Sequence, residues 1–308
     1  MDLPFHTLDV FTDHTFGGNP LGVFPDAAHL PTELMQRVAR EMNLSESVFL
    51  GPPEAEGTAR VRIFTPGVEV PFAGHPTVGT AIYLASRLDL APTDGTITLV
   101  LEENVGPVPV DVRFQGGHPV FARFTTAILS QHHDLPFSCA ELAELVGLEE
   151  DDVCGSLKPE VVSCGLPYSI IPVRTVDAVR RAVLDMARWN RMLAHTPDHH
   201  VYLVCMDAEG ENVDVRVRMF APGSGVPEDP ATGSAAAALG GYLAKADGRP
   251  EGTFQWTVEQ GIEMGRPSIL YVEADRAGGE TTAIRVGGGA VFVSQGSMHV
   301  PEPPPEAS

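Results

Sequence analysis

Apolar and polar residues alternate with a period of two over residues 5–11, 59–65, 96–102, 107–113 and 119–125. The same alternation returns over 200–206, 213–220, 253–259, 268–273, 281–286 and 290–294. Successive strand side chains point to opposite faces, so each run predicts a strand with one face in a core. Short apolar runs at 48–50 and 168–173 predict two more. Helical spacing is rarer. Leu34, Met35, Val38 and Met42 form one stripe on a helix starting at Pro31 and ended by Asn43-Leu44. Ser138 caps a helix to about Val146, and residues 176–193 read as one amphipathic helix. Two stretches, 76–87 and 230–245, are apolar around their whole circumference, which predicts helices buried at the centre of a domain. Gly287-Gly288-Gly289, between two strand-like runs, reads as a hairpin turn.

The two apolar helices close a repeat. Val61-Arg62-Ile63-Phe64-Thr65-Pro66-Gly67 matches Val217-Arg218-Met219-Phe220-Ala221-Pro222-Gly223, 156 residues on (61 to 217). His75-Pro76-x-x-Gly79-Thr80-Ala81 matches Asp229-Pro230-x-x-Gly233-Ser234-Ala235, 154 residues on (75 to 229). Solenoid periods run roughly 20 to 50 residues, so a period of half the chain predicts two homologous domains instead. The boundaries expected are 1–128 and 129–300, with strands near 290–300 able to rejoin the first domain. The polar segment Ser130-Gln131-His132-His133-Asp134 is the expected linker, and the Pro-rich 301–308 a disordered tail. Pro76 and Pro230 suit the first helical position, where a missing N–H costs nothing. A buried helix start offers free N–H groups and the positive end of the helix dipole, an anion site. The residue before each proline is ionisable, His75 in one copy and Asp229 in the other. Without the repeat, Gly79 and Gly233 would be packing glycines and His75 and Asp229 caps. The duplication favours two anion-binding helix starts facing one cleft.

Charge narrows the partners. A net charge of −21 and a pI near 4.8 argue against nucleic acid and anionic membrane surfaces. An anionic substrate must then be held by local dipoles. Cys139, Cys154, Cys164 and Cys205 lack CxxC or zinc-type spacing, so a reduced, cytoplasmic chain is expected. The first residues do not read as a signal peptide, and no run of about 18 apolar residues spans a membrane. Glu46 lies between Ser45 and Ser47, beside an apolar strand; drawn into a cleft, its carboxylate would gain basicity. Local sequence alone reads it as an ordinary loop glutamate. The pairs His132-His133 and His199-His200, beside Asp134 and Asp198, read as surface histidines in polar loops without metal-binding spacing. GxSxG and Walker motifs are absent.

These motifs, with Asp9-Val10-Phe11-Thr12, Gly18-Asn19-Pro20, Asn43-Leu44-Ser45-Glu46-Ser47, Gln260-Gly261 and Gly265-Arg266-Pro267-Ser268, resemble the PhzF-like isomerase family of phenazine biosynthesis. The resemblance covers residues 9–268 in order. It implies a mixed α/β (α+β) fold like that of diaminopimelate epimerase: two pseudo-symmetric lobes, each a curved, mostly antiparallel sheet around a central helix. The epimerases carry a cysteine at each helix start; this chain has none there, so two-thiol racemisation is not available. The resemblance implies instead a cofactor-independent isomerase without a metal, moving a proton on a small cyclic carboxylic acid such as trans-2,3-dihydro-3-hydroxyanthranilate. Glu46 is the implied acid/base in the interlobe cleft, with His75, Asp229 and Ser234 as polar partners. Gly74 and Gly233 would offer N–H donors, and Asn19, Ser45 and Thr80 would line the substrate. A homodimer is implied as well. An isomerase or epimerase of another small amino or hydroxy acid, and a non-catalytic binding homologue, remain as alternatives.

Overall fold

A computed structural model describes residues 1–88, 91–197, 200–210 and 212–301 of the chain. The expected tail falls outside the described residues from 302 onward, as do Asp198 and His199. The chain divides into two compact units: Met1–Phe124 with the chain from Gly288 onward, and Thr125–Gly287.

The first unit contains β1 (Asp2–Val10), β2 (Asn19–Phe24), α1 (Thr32–Met42), β3 (Glu46–Gly51), β4 (Ala59–Phe64), β5 (Glu69–Val70), α2 (Gly74–Ala85), β6 (Gly95–Glu103), β7 (Gly106–Gln115) and β8 (His118–Thr125). β2 runs parallel to β3, and β4 parallel to β6; the other pairings are antiparallel. α1 begins after Pro31 and ends where Asn43, in the left-handed conformation, donates its N–H to the Ala39 carbonyl. Leu34, Met35, Val38 and Ala39 bury its apolar face in a core with Leu3, Phe24, Phe49 and Phe64. α2 buries nearly every residue. It can approach the sheet because Gly79 has no Cβ: one would lie 2.6 Å from Leu21 and 2.7 Å from Val10.

The second unit contains β9 (Gln131–Asp134), α3 (Cys139–Leu145), β10 (Glu160–Ser163), β11 (Pro167–Pro172), α4 (Val176–Arg181), α5 (Met186–Met192), β12 (His200–Cys205), β13 (Val215–Ala221), β14 (Val226–Asp229), α6 (Gly233–Asp247), β15 (Gly252–Gln260), β16 (Ser268–Ala277) and β17 (Glu280–Gly288). β11 runs parallel to β12 and β13 parallel to β15; α6 is the buried helix. The last strand, β18 (Ala290–His299), pairs antiparallel with β1 over its whole length and so belongs to the first unit.

Registers carry the duplication well beyond the motifs. Glu46 opens β3 opposite Leu21, as His200 opens β12 opposite Tyr168. Arg60 pairs with Glu102 across β4 and β6, as Arg216 pairs with Glu259 across β13 and β15. The last residues of β6 and β15, Glu103 and Gln260, are therefore equivalent. Arg62 grips Glu69 with two nitrogens at 2.8 and 2.7 Å and lies over Phe64. Arg218 grips Glu228 at 2.8 Å twice and lies over Phe220.

Several sequence expectations need correction. The expected linker at 130–134 is strand β9 along most of its length, held by β10. The helix expected over 176–193 is two helices. Val183 and Asp185 give their backbone N–H groups to Val146 and Leu145 at the end of α3, and the Asp185 side chain caps α5. Gly287-Gly288-Gly289 is not a hairpin, because β18 pairs with β1. Gly289 instead meets the first unit's backbone: Phe11 donates to its carbonyl at 2.8 Å. Cys139 and Cys154 form a disulfide, contrary to the reduced reading; Cys164 and Cys205 are free. α3 and the turn after it bring the pair together, which their 15-residue separation does not signal. His132 and His133 stand on β9 rather than in a loop, and His132 is half-buried against Glu160. His200 is buried on β12, not at the surface.

Candidate active site

In the first unit the candidate residues gather around the start of α2. This helix begins at Gly74, so Pro76 is its third residue rather than its first; it still falls in the first turn, where no intrahelical N–H bond is made. Gly74 and His75 offer first-turn N–H groups without a partner inside the helix. Glu46, the first residue of β3, keeps a side chain 19% exposed, and its Oε2 lies 3.4 Å from His75 Nδ1. Burial pushes the His75 imidazole down to about 3, while the Pro20 carbonyl pulls the other way. His75 is therefore held neutral, and its contact with Glu46 is not an ion pair. Its Nε2 makes no hydrogen bond of ordinary geometry among the described residues.

Asn19 is fully buried at the start of β2, opposite Val10. Ser45 immediately precedes β3, half-buried. Thr80 is buried one turn into α2, and its hydroxyl finds no partner among the described residues.

The candidate residues of the second unit are held differently. α6 begins at Gly233, with Thr232 as N-cap, three residues later than Pro230 predicts. Side-chain bonds hold the preceding backbone out of the helix. Gln260 donates from Nε2 to the Asp229 carbonyl at 2.7 Å and to Thr232 Oγ1 at 3.0 Å. Its Oε1 accepts from the Thr232 N–H at 3.2 Å. Thr232 in turn donates to Asp229 Oδ2 at 2.6 Å, fixing a carboxylate that is 7% exposed. Gly261 can follow only because it is glycine: its φ is +79°, and a Cβ would fall 2.4 Å from Arg266 O and 2.5 Å from Pro230 O. Ser234, the second residue of α6, shares a 2.6 Å hydrogen bond with the Tyr168 hydroxyl.

Sequence reading missed Tyr168, Thr232, Thr77 and Glu103. Thr77 donates to the Ala73 carbonyl at 2.8 Å and lies 2.7 Å from Glu103 Oε1. A signal for Glu103 existed: it continues the inward face of Leu99 and Leu101 along β6. His200, equivalent to Glu46, is held at 3.3 Å from the Pro167 carbonyl and 3.0 Å from Ser224 Oγ. Among the described residues, no group of three or more His, Cys, Asp or Glu is placed to hold a metal ion, and no helix is long and apolar enough to cross a membrane.

The comparisons agree on one family. A sequence profile described as "Phenazine biosynthesis-like protein" (PhzC-PhzF) matches residues 8–296. An uncharacterised isomerase of Mesorhizobium japonicum is 41% identical over 298 residues, covering 95% of this chain and 97% of that one. The trans-2,3-dihydro-3-hydroxyanthranilate isomerase of Pseudomonas aeruginosa is 39% identical over 295 residues, covering 95% and 98%. The crystal structure of a PhzF-family phenazine biosynthesis protein of Bacillus anthracis superposes with a TM-score of 0.88 at 29% identity, covering 97% and 100%.

Proposed function

The chain belongs to the phenazine biosynthesis-like family and is an isomerase of it, and from that premise we propose that it moves a proton on a small cyclic carboxylic acid of the trans-2,3-dihydro-3-hydroxyanthranilate type. The observation that carries the proposal is the pair at the start of α2, with Glu46 3.4 Å from a buried, neutral His75. In this reading Glu46 takes the proton from a ring carbon next to the conjugated system and returns it elsewhere on the ring. Negative charge spreads through the diene in between. Oriented N–H groups at a helix start stabilise such charge without reorganising. Neutral His75 offers a hydrogen bond rather than a competing charge. Asp229 and Ser234 hold the substrate's polar groups, with Asn19, Ser45, Gly74, Thr80 and Gly233 completing its contacts.

Replacing Glu46 by Gln tests this directly. The amide keeps the shape and loses the basicity, and positioned general bases contribute about 10²–10⁴ in rate. Turnover should fall by at least about a hundredfold with substrate affinity little changed. Near-full activity of Glu46→Gln would sink the mechanism. The family resemblance also makes a homodimer in the cytoplasm part of the proposal; sedimentation as a 32.9 kDa monomer at micromolar concentration would count against the dimer.

A further inference from the structure

Beside the start of α2 sits a carboxyl group that the proposed reaction does not use. Glu103, the last residue of β6, is 4% exposed. Its Oε1 lies 2.7 Å from Thr77 Oγ1, and its Oε2 has no hydrogen-bond partner among the described residues. Thr77 Oγ1 also lies 2.8 Å from the Ala73 carbonyl, which can only accept. A threonine hydroxyl has one proton to give. If Glu103 were a carboxylate, two acceptors would compete for that proton, and a buried charge would keep one oxygen bare, a costly state. If Glu103 carries a proton, it donates to Thr77 Oγ1, Thr77 donates to Ala73, and the chain of bonds is complete.

The second unit supplies the control. Gln260 occupies the position equivalent to Glu103 and donates from Nε2 to Thr232 Oγ1 at 3.0 Å, at the start of the other central helix and one residue past Ala231, which the repeat pairs with Thr77. A neutral donor is thus what the architecture asks of this strand end. We propose that Glu103 is a carboxylic acid at neutral pH, and that its proton makes it a positioning residue for the first turn of α2, the turn that carries Gly74 and His75. Loss of the proton draws the Thr77 hydroxyl away from Ala73 and loosens the helix start.

The surroundings agree. Burial pushes the Glu103 carboxyl up to about 8, against smaller opposing pulls from Thr77 and from Arg60 on β4. Its cross-strand neighbour on β7 is Gly106, which brings no charge. On α2 the facing group is the Thr77 hydroxyl. The folded carboxyl thus holds its proton well above the ordinary value of 4.5 at which it is lost on unfolding. The stability it lends is full below about 4.5 and is lost as pH rises towards about 8.

The test needs no substrate, so it stands or falls apart from the proposed reaction. Protein labelled with ¹³C at glutamate carboxyls is titrated by NMR, beside Glu103→Gln. One signal should remain a neutral acid at pH 7, ionise near pH 8 and be missing from Glu103→Gln. The amide signals of Gly74, His75 and Thr77 should move with the same midpoint. The gap in melting temperature between Glu103→Gln and the parent should widen from pH 5 to 8 in favour of the variant and then level off. A full set of carboxylates by pH 6, or a gap in melting temperature that does not vary with pH, would overturn the protonated state. A carboxyl that ionises near pH 8 without moving the three amides would overturn the positioning role.

Discussion

The two central helices begin from the same architecture and are finished with opposite chemistry. At the start of α2 stand a neutral His75, a nearby Glu46 and, at the strand end beneath, the carboxyl of Glu103. At the start of α6 stand Asp229 tied by Thr232, Ser234 tied by Tyr168, and Gln260 with both ends of its amide engaged. Where the first unit has Glu46, the second has His200, pinned between a carbonyl and a serine. The difference teaches that duplication preserved the backbone frame while the polar groups at the two helix starts diverged. In the proposed reaction the first helix start moves the proton and the second holds polar groups still.

The largest effect that could break this comparison is kinetic. Glu46→Gln should lower kcat by about 10²–10⁴, whereas His200→Gln, at the equivalent position, should cost less than about tenfold. Comparable losses from the two variants would erase the proposed division of labour.

Next in size is the contrast between the duplicated arginines. Arg218, 9% exposed at the side chain, also donates to the Val179 and Ala182 carbonyls, so Arg218→Met strands four acceptors. Urea denaturation should show a loss of about 3 kcal/mol, at the low end for breaking a buried ion pair. Arg62 is 23% exposed, and Arg62→Met should lose only about 1 kcal/mol, the upper range for exposed pairs. Equal losses would show that the two copies bear load alike.

Smaller still is Gln260→Glu, which gives the second helix start the first one's carboxyl. It removes the donor to the Asp229 carbonyl and should cost about 1 kcal/mol, the low end for stranding one buried acceptor. Burial raises a carboxyl's pKa, so the cost should be smaller at pH 5, where the acid can keep its proton, than at pH 8. Melting curves at the two pH values check the sign.

Much of this frame was legible in the sequence because its signals are local. Period-two alternation located the strands, all-round apolarity marked α2 and α6, and the repeated Val-Arg-x-Phe run exposed the duplication. The unread parts depend on distant partners. The late start of α6 is imposed by Gln260, about thirty residues downstream, and no helix propensity at Pro230 reports it. The break between α4 and α5 follows from bonds to the end of α3. His200 looked like a surface residue because Asp198 and His199 just before it are polar, while its neighbours in space are Pro167 and Ser224. Glu103 was readable from the alternation of β6, yet the proton proposed for it depends on Thr77 and Ala73, which the chain brings beside it from about thirty residues away.

The central claim is that the first helix start transfers a proton through Glu46. Proton NMR of trans-2,3-dihydro-3-hydroxyanthranilate incubated in D₂O with the parent protein and with Glu46→Gln tests it most directly. The account predicts an isomerised ring with the parent, carrying solvent deuterium wherever Glu46 exchanges its proton before returning it, and an unchanged, unlabelled ring with Glu46→Gln even where binding persists. Isomerisation by Glu46→Gln at the parent's rate, or binding by the parent with neither isomerisation nor label, would contradict it.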